Sequence, residues 1–198
     1  MIGDRVNRNG SAYALTVFTA IVPGHEADVK RVIEGLGRGT DSPLARLTQL
    51  HTSRLQIFDR LVHQGEPQTV ETLRNNYLVF TANFDGARDD FLDAIAARLP
   101  LDADSWWKHC VGYPGMSDRA AFRRWIRHNQ INTSLFAVAS PNRTVADVMQ
   151  SLALRERLLE FAISAQGLSA EELQQRFRRA FSDLSVGANH SAHTHRAT

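Results

Sequence analysis

The sequence has few of the features that identify enzyme and binding families. It has a single cysteine, Cys110, among 198 residues, which excludes an internal disulfide and a zinc site built from several thiolates. It has no glycine-rich phosphate-binding loop, no His-Glu-x-x-His and no Gly-x-Ser-x-Gly sequence. No motif therefore fixes a reaction, and the sequence predicts no metal site.

Long apolar runs and a large excess of one charge are also missing. The longest apolar stretch, over residues 12–22, is far shorter than the roughly 20 residues that a membrane-spanning helix needs. The polar start of the chain lacks the apolar core of a signal peptide. With 23 basic and 21 acidic residues, the formal charge of +2 is too small to indicate a nucleic-acid partner. These observations, with the lone cysteine, predict a cytoplasmic protein.

Apolar residues make up 43% of the chain and charged residues 22%, which is typical of a folded globular protein. The length favours one domain with a substantial core. We predict a flexible N-terminus over residues 1–11, a single α+β domain over residues 12–184 and a disordered tail over residues 185–198. The tail is rich in Ser, Ala, His and Thr, and its histidines are His190, His193 and His195.

The apolar pattern predicts a mixed fold. Four strands are predicted, over residues 13–22, 47–59, 76–83 and 131–139. Helical spacing of apolar residues predicts amphipathic helices after the first and third strands and a short helix around Phe122. Two more helices open at Thr144 and Ser169, each followed three residues later by an acidic partner. The order predicts a ferredoxin-like βαββαβ antiparallel sheet with extra C-terminal helices.

Four sequence segments carry a resemblance to a known group of proteins. They are Tyr13–Val22 with Pro23-Gly24-His25, Leu50-His-Thr-Ser-Arg54, Thr81-Ala-Asn-Phe-Asp-Gly86 and His109-Cys-Val-Gly-Tyr-Pro-Gly115. Over about residues 12–165 the chain resembles a little-characterised bacterial family of the dimeric α+β barrel group. That group is ferredoxin-like and also contains chlorite dismutases, dye-decolorising peroxidases and cofactor-free monooxygenases. The resemblance implies a homodimer and admits haem as a cofactor, with Asp85-Gly86 similar to the aspartate-glycine pair of dye-decolorising peroxidases.

His51 and Arg54 are the first candidate site residues. In a strand their odd separation places them on opposite faces unless a bulge intervenes. His51 is predicted to share a face with Leu55 and Ile57. In a pocket, His51 would act as a ligand or general base and Arg54 would stabilise an anion. The alternative is a core histidine bonded to a backbone carbonyl.

Two further regions supply candidates. Asn83 and Asp85 end the third strand, where Asp85 is placed to cap the following helix and Asn83 to orient a ligand. Residues 106–115 are predicted to be irregular and to cover a pocket, with Tyr113 as a donor and His109 as an acid or base. The alternative is an aromatic plug over the sheet edge.

Two functions from different classes remain open. The first is a homodimeric module for small-molecule binding or assembly, paired through a sheet face that carries Phe18, Leu50, Phe58 and Phe80. The second is a small oxidoreductase that uses the barrel cavity, either peroxidase-like with haem or as a cofactor-free monooxygenase.

Overall fold

A four-stranded antiparallel sheet forms the centre of the fold. A computed structural model describes residues 5–69 and 73–183. The strands are β1 (Arg8–Asn9), β2 (Ala12–Ala20), β3 (Leu50–Phe58) and β4 (Tyr77–Asp85), in the sheet order β1-β2-β4-β3. The described helices are α1 (Glu26–Glu34), α2 (Arg88–Arg98), α3 (Pro100–Trp107), α4 (Arg119–Asn129), α5 (Val145–Ser164) and α6 (Ala170–Ala180). The predicted α+β class is confirmed.

One face of the sheet, the inner face, packs against α1 to α4. Alternate residues of β2 and β4 point inward, because side chains alternate along a strand. The inward side chains are Tyr13, Leu15 and Val17 of β2 and Leu78, Phe80, Ala82 and Phe84 of β4. Every buried residue of α1 to α4 belongs to the same apolar cluster. These helices therefore cover the inner face alone.

A β-bulge in β3 changes which side chains share a face. Leu50 lies opposite Phe84, and Thr52 lies opposite Asn83, so His51 is the extra residue. Leu50 therefore packs against the core. This corrects two predictions: His51 does not share a face with Leu55 and Ile57, and Leu50 does not belong to the outward apolar face. Phe80, also predicted on that face, is buried in the core on the inner side of β4.

The predicted strand over residues 131–139 is absent. The segment is irregular. Just before it, Gln130 forms an isolated bridge with Val17 of β2, and the Ile131 amide donates a 2.9 Å bond to the Thr16 carbonyl. The short strand β1 pairs with the start of β2 instead. The ferredoxin-like order is therefore not confirmed.

The predicted irregular segment over residues 106–115 is partly helical. α2 ends at Arg98, and Pro100 occupies the first turn of α3, where its missing amide hydrogen costs nothing. Trp106 and Trp107 end that helix with both side chains buried in the core. The chain becomes irregular only after them.

The described residues fall into two compact units, one ending at Asp147 and the other beginning at Val148. Residues 1–11, predicted to be a flexible N-terminus, include the strand β1, and Asn7 is buried. The second unit contains most of α5 and α6, joined by contacts among Phe161, Phe177 and Phe181. Residue 184 and the predicted tail over residues 185–198 lie outside the described residues.

Both C-terminal helices begin as predicted. The Asp147 amide donates to the Thr144 hydroxyl, and the Asp147 carboxylate accepts from the Thr144 amide. Ser169 and Glu172 form the same reciprocal pair at the start of α6. Within the described ranges, no helix combines the length and the apolar character needed to cross a membrane.

Candidate functional site

The outer face of the sheet, opposite α1 to α4, holds most of the predicted site residues. Its central row is the outward half of β4: Tyr77, Val79, Thr81, Asn83 and Asp85. Tyr77 and Asp85 stand at opposite ends of β4, about 27 Å apart at ~3.4 Å per residue. The end near Asp85 is polar and the end near Tyr77 is aromatic, so the outer face has two chemically distinct halves.

His51 and Asp85 form the centre of the polar half. Nε2 of His51 lies 2.9 Å from Oδ1 of Asp85. The His51 side chain is 28% exposed and that of Asp85 is 14% exposed, so the pair is partly shielded from water. The bulge places His51 on this face, because without the extra residue its side chain would point toward the core. His51 therefore lies on the outer face and pairs with a carboxylate. It is not the core histidine bonded to a backbone carbonyl that was the alternative prediction.

Asp85 also holds the start of α5. Its second carboxylate oxygen, Oδ2, accepts a 2.7 Å hydrogen bond from the backbone amide of Val145, the first residue of that helix. The predicted cap of the next helix is wrong, since Ala87 occupies that position and provides no side-chain bond. The carboxylate nevertheless caps a helix, one distant in sequence.

Asn83 and Arg54 extend the polar half along the strands. The Asn83 side-chain amide donates to the Thr52 hydroxyl at 3.1 Å. Arg54 lies opposite Thr81 and is exposed. His51 and Arg54 therefore point to the same face, which the sequence allowed only with a bulge. The polar half brings together a cation, a histidine, a carboxylate and an amide.

Phe18, Phe58 and Tyr77 make up the aromatic half. The Phe18 ring centroid lies 6.1 Å from that of Phe58 and 6.0 Å from that of Tyr77. Val79 of β4 lies opposite Phe18 of β2, and its side chain on the outer face is buried. Phe18 and Phe58 were predicted on the outward face, and the structure places them there.

No family model, no curated protein and no solved structure matches this chain. The resemblance to the dimeric α+β barrel group therefore stays a prediction.

His109 and Tyr113 are not part of the outer face. The Tyr113 hydroxyl donates to Oδ1 of Asp104 at 2.7 Å, and burial followed by this carboxylate raises the pKa of Tyr113 far above its ordinary value. Tyr113 also packs against Trp107 and Trp125. The Tyr113 hydroxyl is therefore bound to a residue of α3. His109 belongs to a different group of side chains.

That group is a cluster that sequence reasoning missed. His25, Asp28 and His109 place one ligand atom each within 4.8 Å of one another. The His25 and His109 rings stack at 4.6 Å, and Nδ1 of His25 lies 3.0 Å from Oδ2 of Asp28. The signal available in the sequence was the i, i+3 spacing of His25 and Asp28; nothing in the local pattern pointed to His109.

A surface cleft of about 380 Å³ lies between α1 and the ends of β3 and β4. Its lining carries both charge signs, with Glu26, Lys30, Glu34 and Asp59 among its residues. None of the predicted site residues lines it. The candidate chemistry is therefore on the outer face and in the His25 cluster.

Proposed function

We propose that this chain is a homodimeric binding module that takes a small anionic molecule on the polar half of its outer sheet face. The observation that supports the proposal is the division of that face. One half groups His51, Arg54, Asn83 and Asp85, and the other half groups aromatic rings. The first half suits ligand recognition and the second suits protein contact.

Arg54 supports an anionic ligand. Its guanidinium is permanently charged and offers donors in a planar fork that matches a carboxylate or phosphate. His51 is fixed by Asp85, which reduces the conformational entropy lost when a ligand binds. Asn83 adds an amide beside them. A small acid with a carboxylate or phosphate group is therefore the class of ligand we expect.

The aromatic half supports self-association through a second copy of this chain. Apolar side chains on a sheet face are stabilised when a partner covers them. Pairing two such faces would place the aromatic rings of one copy against those of the other, as in the ferredoxin-like barrel arrangement that the resemblance implies. An isologous contact of this kind uses the same residues twice.

Self-association is tested with Phe58→Arg, which places a charge in the aromatic half. Light scattering at micromolar concentration is expected to give twice the chain mass of 22.2 kDa for the wild type and the single-chain mass for the variant. Leu101→Arg is the matched control, because Leu101 is 81% exposed and belongs to α3, a helix that covers the inner face and not the outer one. A wild-type monomer, or a dimer unaffected by Phe58→Arg, overturns the pairing.

Ligand binding is tested separately with a set of small carboxylic and phosphorylated acids, observed by saturation-transfer NMR. Arg54→Ala is expected to abolish the signal from binding acids. Arg60→Ala is the control, since Arg60 is exposed just beyond β3. If no acid binds, or if binding survives Arg54→Ala, the ligand assignment fails while the dimer result stands.

The oxidoreductase alternative draws on the same pair of residues. A carboxylate that holds a histidine fixes its tautomer and the orientation of its ring, so Asp85 positions His51 to act as a general base. Haem fits less well, because Nε2 of His51 faces Asp85 and iron ligation by that nitrogen would break the pair. A Soret band on hemin addition that disappears in His51→Ala would support haem; no band would exclude it at this site.

A further inference from the structure

We propose that His25, Asp28 and His109 bind a divalent transition-metal ion, with Zn²⁺ as the best-matched member of that class. Their ligand atoms all lie within 4.8 Å of one another. Two imidazoles and one carboxylate are a donor set used for zinc and non-haem iron. The cluster is distinct from the outer face, since it follows the end of β2 opposite to the one that pairs with Asp85.

The two parts of the cluster come from segments that the backbone holds together. His25 stands at the start of α1 and Asp28 lies in its first turn, so the i, i+3 spacing puts both side chains on one side of the helix. His109 comes from the segment after α3. Its carbonyl accepts a 2.9 Å bond from the Val22 amide, and the next residue, Cys110, bridges to Ile21.

This backbone pairing makes the position of His109 independent of any metal. Ile21 and Cys110 are both buried, so the bridge between them is part of the core. The Val111 amide adds a 2.8 Å bond to the Ala20 carbonyl. The fold therefore places His109 beside His25 before any ion binds. A preorganised site of this kind needs few rearrangements of the protein when the ion binds.

The ligand atoms need only a modest contraction. Around an ion with Zn–N distances of ~2.0–2.1 Å, tetrahedral ligand atoms lie about 3.3 Å apart. The pair formed by His25 and Asp28 is already at 3.0 Å. His25 is 45% exposed, so there is room for its ring to turn a nitrogen toward the ion, and metal binding would replace its hydrogen bond to Asp28.

The carboxylate of Asp28 is held by a neighbour outside the cluster. Groups that hydrogen-bond a metal ligand without touching the ion fix the orientation of that ligand. Oδ2 of Asp28 lies 3.0 Å from Nδ1 of His25. Arg31 also holds Oδ1 of Asp28 at 3.0 Å, which orients the carboxylate from outside.

The donor set decides the class of ion. Two imidazole nitrogens argue against Ca²⁺ and Mg²⁺, which prefer oxygen ligands. Three protein ligands leave at least one position for water or another small ligand, as in zinc sites that are open to solvent. Among divalent ions, Co²⁺ serves as a coloured substitute for Zn²⁺ in the same geometry.

The test uses the full chain with His190, His193 and His195 replaced by Ala, so that the C-terminal histidines cannot bind the probe. Zn²⁺ is titrated calorimetrically, and Co²⁺ is followed by its visible absorption. One ion per chain is expected. Because loss of even an outer partner of a metal ligand weakens binding about 10–100-fold, His25→Ala, Asp28→Asn and His109→Gln are each expected to weaken it by ~100-fold or more.

His128→Ala is the matched control and should leave the affinity unchanged, since His128 lies at the end of α4 and outside the cluster. Circular dichroism checks that each variant folds. If His109→Gln does not fold, the exposed His25 still gives the decision. Absence of Zn²⁺ binding, or binding that survives both His25→Ala and Asp28→Asn, overturns the proposal.

Discussion

Asp85 is expected to be one of the most sensitive polar positions in the first unit. Its carboxylate makes two hydrogen bonds that join distant parts of the chain, one to His51 and one to the Val145 amide. Removing a side-chain cap costs about 1 kcal/mol. The bond to His51 is partly exposed, so we discount its usual 1.5–3 kcal/mol to about 1 kcal/mol. Asp85→Ala should therefore lower the free energy of unfolding by about 2 kcal/mol.

Urea denaturation followed by circular dichroism measures this loss. Asp85→Asn keeps an oxygen for the Val145 amide, so we expect it to cost about half as much as Asp85→Ala. In the Asp85→Ala background, His51→Ala should add little, because the two residues share one interaction. Asp59→Ala is the control, since Asp59 is an exposed member of a surface ion pair. If Asp85→Ala costs no more than Asp59→Ala, the reasoning is refuted.

Two more predictions concern stability in the first unit. Gly10 has φ +62°, and a Cβ there would lie 1.8 Å from the Pro141 carbonyl oxygen, so Gly10→Ala should cost about 2–4 kcal/mol in urea denaturation. Gly39→Ala, at φ +58° with open space around it, should cost only about 1 kcal/mol, and equal costs would contradict the clash. Burial raises the pKa of the Cys110 thiol from 9.0 to about 11, so the unfolded chain loses this proton first as pH rises. The free energy of unfolding should fall by about 2 kcal/mol more in the wild type than in Cys110→Ala between pH 9 and pH 11, and parallel pH curves would refute this.

Helices and long strands could be predicted because their signals are local. The period of apolar residues located α1, α2 and α4, and the Thr144 and Ser169 caps located the starts of α5 and α6. Local signals were not sufficient to show that residues 131–139 do not form a strand. Its sequence is typical of a strand, but the edge of β2 near Ala14 is taken by residues 7–9, since the Ala14 amide donates to the Asn7 carbonyl. Competition for a sheet edge is a tertiary effect that no local pattern reveals.

The candidate site was partly predictable for a related reason. His51, Arg54, Asn83 and Asp85 were selected by residue type and strand position, and the structure places all four on the outer face. The face of His51 was assigned by strict alternation, and the extra residue in β3 reverses that assignment. His25 and His109 are brought together by the backbone pairing of residues 20–22 with residues 109–111. These segments are far apart in the sequence, so the spacing of residues does not indicate the contact.

The location of the three tryptophans gives the protein a built-in optical reporter. Trp106, Trp107 and Trp125 all lie in the core of the first unit, and the sequence from Val148 onward contains no tryptophan. Intrinsic fluorescence therefore follows the unfolding of the first unit alone, whereas the ellipticity signal adds the contribution of α5 and α6. Coincident transitions would mean that the two units unfold cooperatively, and separated transitions would assign a distinct midpoint to each.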